Sequence, residues 1–222
     1  MTNLRKLTES SKFHSSMSQE QIDEVLEIAP WLKDAEFENA VISVENNFIK
    51  WEDGTWKNGT WEDGTWERGY WNGGTWERGY WNGGTWENGT FIYGFWYDGT
   101  WLNGTWENGS WWSGTWENGT WLNGTWGYGT WENGTWENGT WEYGTWESGN
   151  WINGTWKNGT WFNGTWENGT WENGTWYNGT WKNGRWWSGT WENGTWESGY
   201  WNGGTWKDGI SLDKFHLSKA TK

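Results

Sequence analysis

The chain has 222 residues, a formal net charge of −14, 36 glycines and 34 tryptophans. Leucine, isoleucine, valine and phenylalanine are scarce, which would indicate disorder, but each tryptophan can bury a large apolar surface and so provide a core. The acidic balance argues against nucleic acid and anionic membranes as partners, and without cysteine no disulfide or thiolate metal site can form. The sequence shows no signal peptide and no membrane-spanning segment, so we expect the cytoplasm of the producing cell as the default location.

The N-terminal flank predicts a flexible tail over residues 1–17, followed by a short amphipathic helix. Ser18 and Gln21 form a capping box ahead of apolar positions within residues 22–29, and Pro30 ends the helix. A helix beside a repeat array is typical of a cap over the first coil, and a partner-binding helix is the alternative.

Residues 51–209 form an unbroken array of 32 five-residue repeats with the consensus Trp-Xaa-Asn-Gly-Thr. Tryptophan opens every repeat except one, which has Phe91, and glycine fills the fourth place without exception. Asn-Gly and Asp-Gly turn the chain readily, since both residues tolerate positive φ. A turn every five residues leaves about three extended residues between turns, which favours a continuous β-coil over helices or ordinary hairpins.

Alternation within these short strands determines which side chains face inward. Thr and the residue after Trp share one side of the strand, and Trp takes the other. The residue after Trp is glutamate in 15 repeats, and burying so many unpaired carboxylates would be too costly. The opposite arrangement would also leave the indoles as one large sticky surface. We therefore expect Trp inside, with each buried indole N–H bonded to a backbone carbonyl at a corner.

The array resembles the pentapeptide-repeat family, whose unit has a central apolar residue and a small residue two places before it, as in Gly104-Thr105-Trp106. The resemblance implies a right-handed, four-sided β-helix, with Trp in place of the family's central Leu or Phe. A larger centre beside a smaller neighbour would conserve the interior volume. We therefore expect an all-β fold, a β-solenoid (quadrilateral β-helix) of about eight coils of four repeats. Each Trp would stack on the Trp 20 residues away, such as Trp116 on Trp136, and a two-sided coil is the competing geometry.

The segments on either side of the array are predicted to close its ends. Residues 18–50 would contain the capping helix and a degenerate first coil, with Phe37 and Ile42 as the centres of two units and a bulge near residues 46–48. Residues 210–222 would form a C-terminal cap and tail. Such caps matter because uncapped coils expose open strand edges.

The variable residue after each Trp carries the readable surface information. With a 20-residue coil, one acidic column would contain Glu67, Glu87, Glu107, Glu147 and Glu167. Repulsion within this column would favour weak binding of divalent cations. Two apolar columns, candidates for a protein contact, would contain Ile92, Trp112 and Ile152 in one and Leu102, Leu122 and Phe162 in the other. Drift in a tolerant repeat is the alternative explanation of these patterns.

Residues suited to catalysis are few, so we expect neither an enzyme nor a bound cofactor. The two histidines, His14 and His216, lie outside the array on opposite flanks. No catalytic triad, phosphate loop or metal-ligand spacing is visible. The carboxylates repeat with the array and do not form one distinct pair of the kind that hydrolyses glycosides.

These features favour a structural or interaction protein, a rigid acidic rod that binds a protein partner or another copy of itself. The array is similar to unassigned reading frames of tailed phages, which implies a role in a virion or fibre. The family resemblance also implies an alternative, a DNA mimic that binds DNA gyrase. A third alternative is ice binding through outward threonines, or glycan binding through surface aromatics such as Tyr70, Tyr80 and Tyr200.

Overall fold

The structure, a computed structural model, describes residues 2–3, 19–45 and 48–212. Its contacts divide the chain into two compact units, Met1–Gly109 (unit 1) and Ser110–Lys222 (unit 2). In both units the repeats form a parallel β-solenoid, and unit 1 also carries a short N-terminal helix. The predicted all-β solenoid class is therefore confirmed.

The N-terminal part of unit 1 contains the predicted helix, α1 (Gln19–Ile28), followed by a 3-10 helix (Pro30–Asp34). Pro30 suits the first turn of the second helix because its missing N–H would have no partner there. The predicted capping residue Ser18 lies outside the described residues. None of the helices in the described ranges is long and apolar enough to cross a membrane.

Trp31 covers the N-terminal end of the array's core. Its ring lies 4.9 Å from that of Trp61, edge to face, and 6.2 Å from that of Trp56. Leu32 beside it is fully buried. The helical segment therefore shields the first indoles from water, as expected of a cap.

Three strands precede the regular coils. They are β1 (Thr2–Asn3), β2 (Glu36–Glu45) and β3 (Phe48–Asn58), and β2 pairs antiparallel with both of the others. The first repeat of the array and the first three residues of the second belong to β3. Of the predicted tail, only β1 falls within the described residues.

The predicted degenerate first coil is wrong. Phe37 and Ile42 are buried as expected, but they lie on β2, which runs antiparallel to its neighbour instead of coiling. Residues 35–45 contain no glycine, so this segment lacks the corner residue of the repeat and stays extended. Residues 46–47, part of the predicted bulge, lie outside the described residues.

The array itself forms two-residue strands, one per repeat, on three faces of each unit. In unit 1, beyond β3, the first face has Thr65–Trp66, Tyr80–Trp81 and Phe95–Trp96; the second has Tyr70–Trp71, Thr85–Trp86 and Thr100–Trp101; the third has Thr60–Trp61, Thr75–Trp76, Thr90–Phe91 and Thr105–Trp106.

In unit 2 the three faces are longer. The first has Ser110–Trp111, Thr125–Trp126, Thr140–Trp141, Thr155–Trp156, Thr170–Trp171, Arg185–Trp186 and Tyr200–Trp201; the second has Thr115–Trp116, Thr130–Trp131, Thr145–Trp146, Thr160–Trp161, Thr175–Trp176, Thr190–Trp191 and Thr205–Trp206; the third has Thr120–Trp121, Thr135–Trp136, Asn150–Trp151, Thr165–Trp166, Thr180–Trp181, Thr195–Trp196 and Ile210–Ser211.

Each coil takes 15 residues, not 20. Every strand of a face pairs in parallel with the strand three repeats later, so that Trp116 lies beside Trp131 and not beside Trp136. The predicted four-sided coil of four repeats is therefore wrong, and the coil has three sides. Backbone hydrogen bonds join successive coils, for example from the N–H of Glu147 to the carbonyl of Trp131 at 2.7 Å.

The size of the indole explains the three-sided coil. Trp141 meets Trp136 and Trp146 edge to face at 6.0 and 5.9 Å, and it stacks on Trp126 and Trp156 at 4.8 and 4.7 Å. Both distances are typical of favourable aromatic pairs. Three rings in edge-to-face contact close the cross-section, so a fourth side is not needed to enclose them. The inward position of Trp is confirmed, since the Trp rings at the coil centres are almost completely buried.

Glycine is invariant because the corner admits no side chain. Gly134 has φ +124°, and a Cβ there would lie 2.4 Å from the carbonyl oxygen of Gly119 in the preceding coil. The residue before each glycine does not share this conformation, since Asn39 is the only described non-glycine residue with positive φ. The residue before glycine therefore does not need to tolerate positive φ, which explains why Arg, Tyr and Ser also occur there.

The indole N–H groups meet the predicted carbonyl acceptors at only two described positions. Trp161 donates to the carbonyl of Asn178 at 3.2 Å, and Trp186 donates to that of Gly203 at 3.1 Å. Both acceptors are corner carbonyls 17 residues ahead. Other buried indoles, such as those of Trp141 and Trp171, have no hydrogen-bond acceptor for Nε1. The prediction of one acceptor for every indole is therefore wrong.

The corner geometry predicts that Gly134→Ala destabilises unit 2 far more than Asn133→Ala, at the exposed neighbouring position. The methyl group would clash with the Gly119 carbonyl and force a strained φ, at a cost of about 2 kcal/mol or more. The control should cost less than about 1 kcal/mol. Guanidinium unfolding midpoints compare the two variants, and equal midpoints would contradict this explanation of the invariant glycine.

Candidate interaction surface

The outward side chains form columns whose members lie 15 residues apart. The predicted acidic column therefore does not exist. In unit 1, Glu67, Glu87 and Glu107 follow strands of the first, second and third faces; in unit 2, Glu147 and Glu167 follow strands of the second and third. These glutamates would share one column only in a coil of 20 residues. The predicted divalent-cation site at this column has no structural basis.

Some neighbours in the real columns carry charges of opposite sign. In unit 2, three lysines each donate a hydrogen bond to the glutamate one coil earlier: Lys157 to Glu142 at 2.9 Å, Lys182 to Glu167 at 2.7 Å and Lys207 to Glu192 at 2.9 Å. Hydrogen bonding to Glu142 and its negative charge raise the pKa of Lys157. The surface of unit 2 therefore combines short ion pairs with one short acidic run, Glu117, Glu132 and Glu147, on the second face.

The two predicted apolar columns do not form either. In unit 1, Ile92 and Leu102 follow strands of the third and second faces; in unit 2, Trp112, Phe162, Leu122 and Ile152 follow strands of the first, second, third and third faces. Leu122 and Ile152 share a column, but Glu137 lies between them. Trp112, Ile152 and Phe162 are exposed, and a role for any of these six residues in binding a partner stays a prediction.

A different apolar surface lies on the first face of unit 1. Tyr80, Phe95 and Tyr97, which we call the aromatic patch, come from two successive coils. The Tyr80 ring stacks on that of Phe95 at 5.3 Å and lies 6.4 Å from that of Tyr97. Nearly half of the Tyr80 surface remains exposed. Such stacked, solvent-facing rings are characteristic of contact surfaces more than of cores.

A cavity of about 430 Å³ adjoins the aromatic patch at Tyr80. Its lining also includes Phe48, Ile49, Lys50, Asp63 and Glu67. The charged groups are compensated, since Lys50 pairs with Glu67 at 3.0 Å and Arg78 with Asp63 at 3.0 Å. The cavity thus combines an apolar wall with ion pairs already formed within the protein.

Glu67 is held in its charged form. Its partial burial raises its pKa, but hydrogen bonds from Lys50 and Asn82 and nearby positive charge outweigh that effect and lower the pKa below its ordinary value. The Glu67 carboxylate therefore stays ionised at the cavity wall in neutral solution, where it forms an ion pair with Lys50.

One departure from the repeat consensus coincides with the aromatic patch. Residues 91–98, Phe-Ile-Tyr-Gly-Phe-Trp-Tyr-Asp, depart further from the consensus than any other stretch of similar length in the array. Only Tyr80 of the patch was singled out, as one of several surface aromatics. The contact between Tyr80 and Phe95 could not be anticipated, because a 20-residue coil does not place residues 15 apart in adjacent strands.

Unit 2 has smaller aromatic pairs. Tyr128 stacks on Tyr143 at 5.4 Å, and Phe162 stacks on Tyr177 at 5.0 Å. Each is a pair of neighbours in one column.

The described residues bring together no cluster suited to acid–base or metal chemistry. No group of three or more His, Asp or Glu side chains within the described ranges could hold a metal ion. His14 and His216 both lie outside those ranges.

Lowering the pH should remove the contribution of Glu67 to stability. Because its folded-state pKa is lowered, this contribution is present above the ordinary glutamate pKa and is lost as the pH falls through the folded value. Both partners are about one-third exposed, so we expect less than about 1 kcal/mol. Thermal unfolding of Glu67→Gln against wild type should show a difference at pH 7 that vanishes near pH 3.

Glu87→Gln is the matched control, since Glu87 occupies the same place in its repeat without an ion pair. A Glu67→Gln difference that does not change between pH 7 and pH 3 would contradict the charged pair.

No protein-family model, curated protein or solved structure matches the chain. The parallel β-solenoid with Trp at every fifth residue is consistent with a fold of the pentapeptide-repeat type. Its three-sided coil departs from the four-sided coil that the resemblance implied.

Proposed function

We propose that the chain is a non-enzymatic structural and interaction protein whose solenoid presents the aromatic patch to a protein partner. The single observation that carries this proposal is the stacked group of Tyr80, Phe95 and Tyr97 beside a cavity lined by Phe48. A β-solenoid repeat fold suits such a role because its backbone is held by hydrogen bonds in every coil.

The composition of the patch favours a protein ligand. Tyrosine combines a large contact area with a low entropy cost, and it is enriched among the residues that dominate binding energies. The charged side chains around the patch, such as Arg78 and Asp98, would form a polar rim. The cavity next to Tyr80 would admit one apolar side chain of the partner, since its own charges are already paired.

The partner is either another protein or a second copy of the chain. The likeness of the repeats to tailed-phage reading frames extends the proposal to a virion component, with the cytoplasm of the producing cell as the place of synthesis. Binding to nucleic acid or to a membrane is not part of the proposal, given the net charge of −14.

The DNA-mimic alternative has less support. A mimic of the DNA backbone needs a long regular run of negative charge, whereas the longest run in unit 2 is three glutamates, Glu117, Glu132 and Glu147. The other two columns are interrupted by lysines, Lys157 and Lys182. The ice-binding alternative is also weaker, because each strand carries one outward threonine and its outward neighbour is often glutamate.

A photo-crosslinking amino acid at position 80, in place of the exposed Tyr80, tests the proposal in cells that produce the protein. Tyr70 is the matched control, because both tyrosines stand in the same local sequence, Glu-Arg-Gly-Tyr-Trp-Asn-Gly-Gly, and both are exposed. We expect a discrete crosslinked species from position 80 and none from position 70, because Tyr70 has no stacked aromatic neighbour on its face.

The mass of the product identifies the partner. Twice the chain mass indicates self-association, a virion protein supports the phage role, and a gyrase subunit would favour the DNA mimic. The absence of a product from position 80, or equal products from both positions, would contradict a partner-binding patch.

A further inference from the structure

Arg185 is the one unpaired cation of the described array. Every other lysine and arginine in residues 48–212 forms an ion pair with a carboxylate. Arg185 is exposed, and no carboxylate of the described residues lies within ion-pair distance of its guanidinium. It also occupies a place in the repeat that is usually threonine. The chain as a whole has a net charge of −14, so a positive charge without a carboxylate partner, in place of threonine, indicates a site for an anionic group.

Arg185 stands in an open depression of about 540 Å³ on unit 2. The depression follows the corner between the third and first faces, and corner glycines contribute to its lining. One wall consists of Asn153, Asn168 and Asn183, which each precede a corner glycine in three successive coils. The opposite wall consists of Thr170, Arg185 and Tyr200, which each follow a corner glycine and begin one coil later. The side chains of Arg185 and Tyr200 are longer than that of the usual threonine, so they deepen the depression on this side.

The asparagine wall can bind hydroxyl groups. In the preceding coils of the same corner, the side-chain amide of Asn138 donates a hydrogen bond to that of Asn123, and the amide of Asn153 donates to that of Asn138, both at 3.3 Å. These side-chain amides form a ladder. The ladder does not continue, and the amides of Asn168 and Asn183 make no hydrogen bond to the described protein. A side-chain amide offers both donors and an acceptor, which is what a polyhydroxylated ligand requires.

The lining contains a single full charge. No aspartate or glutamate borders the depression. The nearby Glu167 is neutralised by Lys182, at 2.7 Å. A guanidinium forms two parallel hydrogen bonds with a carboxylate, a stronger contact than a hydrogen bond between neutral groups. The site therefore provides one position for a carboxylate and several for hydroxyl groups.

We propose that this depression binds a carboxylate-bearing carbohydrate, a hexuronic acid residue, with its carboxylate on Arg185 and its hydroxyls on Asn168, Asn183 and Thr170. The volume lies within the range of small-molecule sites. A phosphate ion would accept hydrogen bonds from Arg185 and from amide N–H groups, but a sugar acid also has several hydroxyls that donate to the amide oxygens, so it accounts for more of the lining. The site is independent of the aromatic patch, which lies in unit 1.

Ligand-observed NMR titration of the full chain with D-glucuronate, D-glucose and inorganic phosphate tests the proposal. We expect saturable binding of glucuronate in the millimolar range, as is reasonable for one charge-assisted contact on an open surface, and at least tenfold weaker binding of the other two. Arg185→Thr restores the consensus residue and should therefore fold, and it should weaken glucuronate binding at least tenfold. Circular dichroism checks the fold of the variant.

Arg68→Asn is the matched control, because it removes the same charge in unit 1 and introduces the consensus residue of that place. Its affinity for glucuronate should equal that of the wild type. The proposal is overturned if glucuronate does not bind saturably, if Arg185→Thr binds as tightly as wild type, or if phosphate binds as tightly as glucuronate. The last result would indicate a simple anion site.

Discussion

The fold depends on a match between two spacings. Parallel strands lie about 4.8 Å apart, and parallel aromatic rings stack favourably at a similar distance. In this chain the strands of successive coils and the indoles behind them share one spacing, since Trp141 stacks on its two column neighbours at 4.8 and 4.7 Å. The match holds only if each coil lies directly against the next, and the corner glycine permits this because it places no side chain against the carbonyl of the preceding coil.

The indole core carries a cost that the packing outweighs. A buried N–H without an acceptor costs about 1–3 kcal/mol, and most described indoles are in this position. Burying a large aromatic side chain contributes about 4–6 kcal/mol as an upper value, and each ring contact adds about 0.5–1.5 kcal/mol. Each inner Trp makes two stacked and two edge-to-face contacts, as Trp141 does, so a single unsatisfied donor does not decide the balance.

Local properties of the repeat could be predicted from sequence, and properties of the assembled coil could not. The inward Trp followed from the frequency of outward Glu, and helix α1 followed from its apolar spacing and Pro30. The number of sides depends on how many indoles close the cross-section, which one repeat does not encode. That single error displaced every surface column, so the stacking of Tyr80 on Phe95 and the ion pairs between residues 15 apart were missed. The sequence therefore showed which surface residues depart from the consensus, but not which of them are neighbours in the folded coil.

The central claim, a coil of three repeats, can be tested directly because the chain has no cysteine. Thr130 and Thr145 are outward neighbours on adjacent strands of unit 2, whereas Thr125 and Thr145 lie on different faces. Adjacent strands bring the Cβ atoms close to the distance that a disulfide spans. Under mild oxidation, Thr130→Cys with Thr145→Cys should form an intramolecular disulfide, and Thr125→Cys with Thr145→Cys should not. A disulfide in the second pair and none in the first would indicate a 20-residue coil and contradict the account.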